Sequence, residues 1–409
     1  MSERLATWFN YDFTARGIPT DELINAYKHW GEGEVGIILT GNTMIALDNL
    51  ETEGNLVIPP DAPFTGRRFD KFCHLATESQ KHGSLILAQV SHPGRQTPAH
   101  LQPNPISASD VQLHAPAMGT PFAKPRPATA DDISALIEGF AHAAEYLEKA
   151  GFDGIQLHGA HGYLLSQFLS ETTNLRKDSY GGCLANRMRI ILEIREGIRK
   201  RVSPSFIVGI KINSVEFQVN EFQPDEALQL CAILQNHRFD FVELSGGTYE
   251  KMEMDYKRDT TKKREAFFMD FAEDIVANLR ETKSFVTGGF RLVKGVVDAL
   301  DTIDGIGLGR PICQEPFLCS HILSQKVTGS ISQALDESDF GLTVAIACLQ
   351  IKQMANDKQP INLGKPENVD LVTRLVVEWF QRKKGDLSGE SGLTPAISGD
   401  FTDLTTAVI

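Results

Sequence analysis

The sequence predicts an α/β fold, a (β/α)8 barrel, on three observations. Short runs rich in Val, Ile and Leu alternate with segments that have one apolar face, which is the order of strands and helices in such folds. The runs are apolar throughout rather than at every second residue, as in parallel strands that helices cover on both faces. No Gly-x-Gly-x-x-Gly joins a first strand to a helix, which disfavours an open dinucleotide-binding sheet.

Seven apolar runs give the predicted strands, and the segments between them give the predicted helices. The strands are Val35–Gly41, Ser84–Val90, Phe152–His158, Phe206–Ile212, Asp240–Gly246, Ser284–Gly288 and Asp304–Gly309. The helices are Asp21–Trp30, Phe69–Lys81, Asp131–Ala150, Leu184–Arg201, Asp225–Asn236 and Leu292–Leu300. A closed barrel has eight strands and little chain precedes the first helix, so we expect a first strand that is largely missing at the N-terminus.

Other stretches lie outside this repeat. Pro103–Arg126, rich in Pro, Ser, Ala and Gln, is predicted to be a long loop on the active-site side of the barrel. Phe340–Asp357 and Glu367–Lys384 are predicted to be helices. The chain is therefore expected to divide into a barrel (residues 1–325), a C-terminal helical extension (326–384) and a flexible tail rich in Gly, Ser and Thr (385–409).

Composition excludes several classes of protein. The 409 residues are 42% hydrophobic and 23% charged, as in ordinary globular proteins, and the net charge of −13 disfavours general nucleic-acid binding. No apolar run is long enough to span a membrane, and the first residues do not resemble a signal peptide. The six cysteines are scattered without a Cys-x-x-Cys pair, which predicts a reduced, cytoplasmic protein without an iron–sulfur or zinc site. The oligomeric state is open, and a homo-oligomer is compatible with the sequence.

The segment Gly154–Gly182 is the richest in reactive side chains. His158, His161 and Tyr163 follow a buried strand, so they are expected at its C-terminal end, where barrel enzymes place their chemistry. Two imidazole N–H groups can stabilise charge on one oxygen, and a phenol can donate a proton. Two other interpretations remain: satisfied core or loop residues, and a His-x-x-His metal pair, which lacks a supporting carboxylate or cysteine.

Two strand ends carry glycines suited to phosphate binding. Thr287–Arg291 reads TGGFR after the seventh expected strand, and Gly307–Pro311 reads GLGRP after the eighth. Glycines allow backbone N–H groups to approach phosphate oxygens, and Arg310 adds a charged donor. Either glycine pair alone is more often a turn, whereas the two together with Arg310 favour a phosphate site.

Gln89 and Lys211 are polar residues inside otherwise apolar strands. Because buried polar groups need partners, each is expected to contact a ligand or another side chain in the barrel. An amide can read the pyrimidine edge of a flavin, and a cation there favours the anionic reduced form. An ion pair between Lys211 and Glu243 is an equally good interpretation.

These motifs, in this order, resemble the Old Yellow Enzyme family of FMN-dependent NADH:flavin oxidoreductases. The resemblance covers residue 1 to about Pro316 and is strongest in QLHGAHGYLLSQFL and in NLRKDSYGG, which begins at Asn174. It implies that His158 and His161 bind a substrate carbonyl, that Tyr163 donates the proton, and that Arg176, Asp178 and Asn186 hold the surrounding loop. It also implies FMN contacts from Ser2, Gly41, Gln89, Lys211, Gly288, Gly289, Gly309 and Arg310. The start at Met1-Ser2 departs from the family pattern, which suggests an N-terminally truncated member.

The resemblance implies an enzyme that takes hydride from NADH or NADPH and reduces an activated alkene or a quinone by ping-pong kinetics. The alternative is a degenerate, non-catalytic member that cannot hold FMN because its barrel is incomplete. Another kind of FMN barrel is disfavoured, because its enzymes use a different base from the His-x-x-His-x-Tyr cluster.

Overall fold

A computed structural model of the protein describes residues 3–8, 12–115, 120–213, 224–246, 279–337 and 339–385, together with Met269, Ala272 and Val276. Its strands are β1 (Ile37–Met44), β2 (Leu56–Val57), β3 (Leu85–Ser91), β4 (Ile106–Ser107), β5 (Arg126–Pro127), β6 (Gly154–Gly159), β7 (Ile207–Asn213), β8 (Phe241–Ser245), β9 (Lys283–Thr287) and β10 (Gly305–Gly307). Its barrel-region helices are α1 (Asp21–Glu32), α2 (Arg67–Gln80), α3 (Ala130–Lys149), α4 (Leu164–Leu169), α5 (Leu184–Arg187), α6 (Arg189–Arg199), α7 (Pro224–Asn236), α8 (Val293–Leu300), α9 (Arg310–Gln314) and α10 (Leu318–Leu323). The C-terminal helices are α11 (Phe340–Ala355) and α12 (Pro366–Gly385).

The eight strands of the main sheet are all parallel. Their order is β10-β9-β8-β7-β6-β3-β1-β2, so each of the seven predicted strands lies beside its predecessor in the repeat. Helices follow the strands along the chain and cover the sheet, and the apolar strand residues form one large core with them. This architecture confirms the predicted (β/α)8 class.

Parallel strands with short connections place all of their C-terminal ends at one end of the barrel. The first helix after each strand leaves from that end, and α3 shows how its start is fixed. The Thr129 hydroxyl accepts from Asp132 N at 3.2 Å and the Asp132 carboxylate accepts from Thr129 N at 2.7 Å, which closes a capping box. The loops that hold the candidate site residues therefore meet on one face.

The N-terminal residues lie against β1. The carboxylate of Glu3 accepts from Gly41 N at 2.7 Å, and the Tyr27 hydroxyl donates to the same carboxylate. Residues 3–8 and 12–36 contain no strand, and residues 1–2 and 9–11 lie outside the described part.

The predicted C-terminal helices are present, with ends within two residues of those predicted. They enclose a separate apolar cluster that includes Ile346, Leu349, Val372 and Val376. Helix α11 is fastened to α1, because Asn25 Nδ2 donates to Ala355 O at 3.0 Å. The boundaries of the predicted extension stay a prediction, and the predicted tail lies beyond the described residues except for Gly385.

The long connection after β3 is held together by its own hydrogen bonds. Within it β4 and β5 form a two-residue parallel pair, and Arg95 Nη1 donates to Val111 O at 3.3 Å and to Gln112 O at 3.2 Å. The sequence predicted a loop here, and strands of two residues are too short to leave a pattern. None of the helices in the described ranges is long and apolar enough to cross a membrane.

Candidate active site

The structure brings His158, His161 and Tyr163 together; we call these three residues the catalytic cluster. His158 is the penultimate residue of β6, and Tyr163 directly precedes α4. The ring centre of His158 lies 4.4 Å from that of Tyr163 and 5.1 Å from that of His161. His158 and Tyr163 are 2% and 4% exposed, so their polar atoms act in a nearly dry environment.

A strained turn fixes His161. Its φ angle is 57°, in the left-handed region that side chains other than glycine rarely adopt, and Gly162 follows at 75°. Neighbouring strands hold this conformation: His161 N donates to Asn213 Oδ1 at 3.0 Å, and Nε2 lies 3.0 Å from Ser245 Oγ. The imidazole is therefore oriented by groups at the ends of β7 and β8.

Both histidines of the cluster are neutral at neutral pH. Burial holds the pKa of each well below its ordinary value of 6.5, and the charge of Lys211 adds to the effect. In His158 the Nδ1 atom accepts from Ala160 N at 3.3 Å, which leaves the proton of the neutral ring on Nε2. A neutral histidine with a fixed Nε2–H is a donor suited to a carbonyl oxygen.

Beneath the cluster, four side chains form a continuous set of contacts that we call the buried amide chain. Gln89 Nε2 donates to Gln156 Oε1 at 2.6 Å, and Gln156 Nε2 donates to Glu243 Oε2 at 2.6 Å. Lys211 Nζ lies 2.9 Å from Glu243 Oε1. These residues belong to β3, β6, β8 and β7, so one hydrogen-bonded layer crosses the barrel interior. The interpretation of Lys211 as an ion-pair partner of Glu243 is confirmed.

The carboxylate of Glu243 is ionised in this layer. Burial alone would raise its pKa, but the charge of Lys211 and hydrogen bonds from Thr287, Lys211 and Gln156 hold the pKa below its ordinary value. An ionised carboxylate only accepts, so Gln156 must present its amide nitrogen to Glu243 and its oxygen to Gln89. Glu243 thereby sets the direction of every bond in the chain.

The other candidate residues lie at the ends of β9 and β10, and we call Gly288, Gly289, Gly309 and Arg310 the glycine–arginine end. Gly288 and Gly289 have φ angles of 132° and 88°, which glycine adopts without strain. A Cβ atom at Gly309 would meet no atom of the described residues within 4 Å, so these residues leave the space in front of Gly309 open.

Arg310 carries a buried hydrogen-bond donor at the glycine–arginine end. Its Nη1 atom is buried and has no hydrogen-bond partner among the described residues, and Glu337 lies 3.6 Å away as an ion-pair partner. Burial lowers the pKa of Arg310, although Glu337 opposes the shift. A buried guanidinium nitrogen beside open, glycine-lined backbone is the arrangement that a phosphate group fits, so the chain's residues are compatible with FMN.

Gly41 and Ser2 are the two remaining residues predicted to contact the cofactor. Gly41 lies on β1, where a Cβ atom would come within 2.3 Å of the Glu3 carboxylate, so the close approach seen here is to Glu3. Its role beside a flavin stays a prediction. Ser2 lies outside the described residues.

Sequence reasoning missed four residues that position the site: Asn42, Gln156, Asn213 and Ser245. Gln156 is buried in an apolar strand, and the argument used for Gln89 would have found it. Asn213 and Ser245 follow Lys211 and Glu243 by two residues, so strand alternation places each pair on one face. Asn42 gave no signal, because it lies at a register irregularity in β1.

Arg176 holds the loop after α4. Its Nη1 atom donates to Ala108 O at 3.1 Å and to Ala128 O at 2.8 Å, while the guanidinium also pairs with Asp178. Asn186 Nδ2 donates to Gly181 O at 3.0 Å. The described residues contain no group of three or more His, Cys, Asp or Glu side chains arranged to hold a metal ion.

Comparisons with known proteins point to one family. The family model of the NADH:flavin oxidoreductase / NADH oxidase family matches residues 8–328. The chain is 55% identical over 407 residues to the NADH-dependent flavin oxidoreductase nadA of Aspergillus parasiticus, covering 99% of this chain and 92% of the relative. It is 34% identical to the NADH-dependent flavin oxidoreductase iccE of Talaromyces variabilis over 313 residues, which is 71% of this chain and 75% of that protein.

More distant similarities are shorter or concern the fold. The chain is 36% identical over 159 residues to 12-oxophytodienoate reductase 1 of Oryza sativa subsp. japonica, covering 38% of this chain and 42% of that one. A solved complex of 2-naphthoyl-CoA reductase superposes with a TM-score of 0.69 at 18% identity, over 91% of this chain. This chain spans 54% of the reductase, and the likeness shows the fold alone.

The family model covers most of the barrel, and the residues it spans include the catalytic cluster and the glycine–arginine end. The predicted resemblance to Old Yellow Enzyme is thereby confirmed. The chain belongs to the NADH:flavin oxidoreductase / NADH oxidase family of FMN-dependent oxidoreductases.

Proposed function

We propose that this protein holds FMN, takes two electrons from NADH and reduces activated alkenes that carry a carbonyl group. The observation that carries the proposal is the buried contact of Tyr163 with His158, which puts a proton donor beside a neutral N–H donor at the strand ends. The names of the most similar relatives support NADH as the reductant. Bound FMN would supply the hydride chemistry that amino-acid side chains lack.

The glycine–arginine end would hold the phosphate of FMN. Arg310 Nη1 would gain the hydrogen bond that no described residue gives it, and the backbone of Gly288, Gly289 and Gly309 can approach the phosphate oxygens. Gln89 and Lys211, at the two ends of the buried amide chain, would contact the ring system. Their mutual bonding through Gln156 and Glu243 would keep both side chains in place.

The two histidines would bind the substrate's carbonyl oxygen. His158 offers Nε2–H, the His161 backbone N–H is bonded to Asn213, and the His161 ring contacts Ser245, so neither histidine has to reorganise during the reaction. Since both rings are neutral, they stabilise the developing negative charge by hydrogen bonds without transferring a proton first. This withdraws electrons from the alkene and makes its β-carbon electrophilic.

Tyr163 would complete the addition. The alkene gains a hydride at the β-carbon, and the phenol O–H bond breaks as a C–H bond forms at the α-carbon; solvent then returns a proton to Tyr163. The overall reaction consumes NADH and one proton. If NADH and the alkene occupy the same space in turn, initial-rate plots will be parallel, as in ping-pong kinetics.

The test begins with anaerobic titration of FMN-loaded protein with NADH and, separately, NADPH, followed by enones and quinones. Bleaching of flavin absorbance by a nicotinamide and its return with an enone, with the saturated product formed, supports the proposal. A protein that retains no FMN after incubation with excess FMN and removal of the free cofactor would instead be the degenerate, non-catalytic family member.

A further inference from the structure

Asn42 connects the proton donor to a carboxylate. Asn42 is 3% exposed, and its Nδ2 atom donates to the Tyr163 hydroxyl oxygen at 3.2 Å and also to Glu51 Oε2. The irregularity of β1 between Leu39 and Asn42 changes the register with β3 there. Such irregularities redirect side chains and are common beside active sites.

The carboxylate determines which way the amide faces. The Oε2 atom of Glu51 accepts from Asn42, so it selects the amide nitrogen of Asn42 over the amide oxygen. The same nitrogen then gives its second hydrogen to Tyr163. The Asn42 Oδ1 atom is buried and has no hydrogen-bond partner among the described residues. The opposite orientation would not avoid this cost, because it would leave the amide nitrogen there instead and would also face the amide oxygen to the carboxylate of Glu51.

This orientation decides what the phenol does with its own proton. Because its oxygen accepts from Asn42, the O–H bond of Tyr163 cannot be directed at Asn42 and must point to another acceptor. In the opposite orientation, the phenol would donate to the amide oxygen and its proton would be held there. The direction of one hydrogen bond thus separates a proton donor from an inert tyrosine.

We propose that Glu51 and Asn42 are positioning residues that keep the Tyr163 proton directed at the substrate. The inference rests on the proposed function, in which Tyr163 protonates the α-carbon of an alkene. Neither residue touches the reacting atoms, and both act through Tyr163.

The sharpest test reverses the hydrogen bonds without changing the charge. In the double variant Asn42→Asp with Glu51→Gln, the new carboxylate at position 42 accepts from the new amide at position 51 and from the phenol. Packing, net charge and the number of bonds are kept, whereas the proton of Tyr163 is now held at position 42. We expect alkene reduction to fall by about 10²-fold or more, as when a general acid is removed.

Quinone reduction is the control reaction, because a general structural defect would slow it as well as alkene reduction. A reduced quinone takes its protons on oxygen, from water, so it does not need the phenol. We expect FMN content, reduction by NADH and quinone turnover of the double variant to stay within about twofold of the wild type. Alkene turnover that also stays within about twofold overturns the inference, and so does an equal loss of both reactions.

Single variants extend the test. Glu51→Gln frees the amide to turn, so alkene reduction should slow by about tenfold. The same change made in a Tyr163→Phe background should have no further effect, because both residues act through one hydroxyl. An additional loss there would show a structural role and overturn the inference.

Glu53→Gln is the matched control. It removes the same charge from the same loop, but the Glu53 carboxylate bonds to His100 Nε2 at 3.0 Å. It should leave alkene turnover unchanged. If the wild-type protein itself reduces no alkene, the proposed function fails; if the wild type and the reversed variant reduce alkenes equally, only the positioning role fails.

Discussion

The catalytic cluster and the glycine–arginine end lie on the same face of the barrel, but they differ in how far their polar groups are hydrogen-bonded within the protein. The cluster is held by the protein's own groups: Asn42, Asn213 and Ser245 bond to it, and the buried amide chain fills the space beneath. In the glycine–arginine end, Arg310 Nη1 has no hydrogen bond to any residue that the structure describes, and the carboxylate of Glu337 lies 3.6 Å away. The polar groups of the first region are already bonded within the protein, whereas the second region has a buried donor that a bound anion would satisfy. Substitutions in the first should therefore change reactivity or stability, and substitutions in the second should change cofactor affinity.

The largest effect is expected from Tyr163→Phe. The ring and its packing against His158 remain, but the proton is lost, so alkene reduction should fall by about 10²–10⁴-fold while reduction by NADH continues. Rapid-mixing measurements of the two half-reactions separate these effects. Tyr180→Phe is the control. Tyr180 lies in the loop after α4, and its hydroxyl donates to Glu193 Oε2 at 2.9 Å. Equal alkene rates for wild type and Tyr163→Phe would remove Tyr163 from the mechanism.

The next effect concerns the buried amide chain. Glu243→Gln leaves Lys211 buried without its counter-charge, so the free energy of unfolding of the FMN-free protein should fall by about 3–5 kcal/mol. Chemical denaturation measures this change. Adding Lys211→Met should restore most of the loss, because no unpaired charge remains. A double variant no more stable than the single one would show that the ion pair is not what Glu243 contributes.

A smaller effect is expected at the glycine–arginine end. Arg310→Ala removes a charged donor, so the Kd for FMN should rise about 10- to 100-fold, as for a hydrogen bond to a charged group worth about 1.5–3 kcal/mol. Fluorescence titration of FMN measures it. Unlike Glu243→Gln, this change should leave the stability of the FMN-free protein nearly unchanged. Lys294→Ala, which removes an exposed cation paired with Asp298 on α8, should not alter the Kd.

The smallest effect is on the pH dependence of stability. Burial lowers the pKa of His92 to about 4, and the pKa values of His158 and His161 are also lowered. In the unfolded chain these histidines bind protons near pH 6.5, whereas in the folded protein they stay neutral to a lower pH. Unfolding therefore takes up protons below pH 6.5. As a result, the free energy of unfolding is highest above pH 6.5 and decreases as the pH falls towards 4. Each histidine contributes a slope of up to about 1.4 kcal/mol per pH unit.

His92→Asn tests this sign. An asparagine oxygen can replace His92 Nδ1 as the acceptor for Gly94 N, which lies 3.0 Å away. The variant should lose about one histidine's share of the slope between pH 6.5 and 4, while stability above pH 7 changes little. An unchanged slope would mean that His92 already binds a proton in the folded protein.

Much of the barrel could be read from the sequence because its strands are apolar runs and its long helices are amphipathic. The limits of prediction lie where the pattern breaks. Residues 184–201 are predicted as one helix, but the structure separates α5 from α6 at Met188, which ends the first helix and precedes the second. The predicted strand Val35–Gly41 ends at Gly41, but β1 continues to Met44 because β3 supplies partners beyond the irregularity.

The sequence by itself determined the order of strands and helices, the strand-end positions of His158, His161 and Tyr163, and the need for partners at Gln89 and Lys211. Periodicity and burial are local properties that the chain carries residue by residue. Only the tertiary structure decided which polar groups meet. Gln156 joins Glu243 to Gln89, and Asn42 joins Glu51 to Tyr163, because side chains from segments far apart in sequence meet inside the barrel. Hydrogen-bond direction depends on those distant partners.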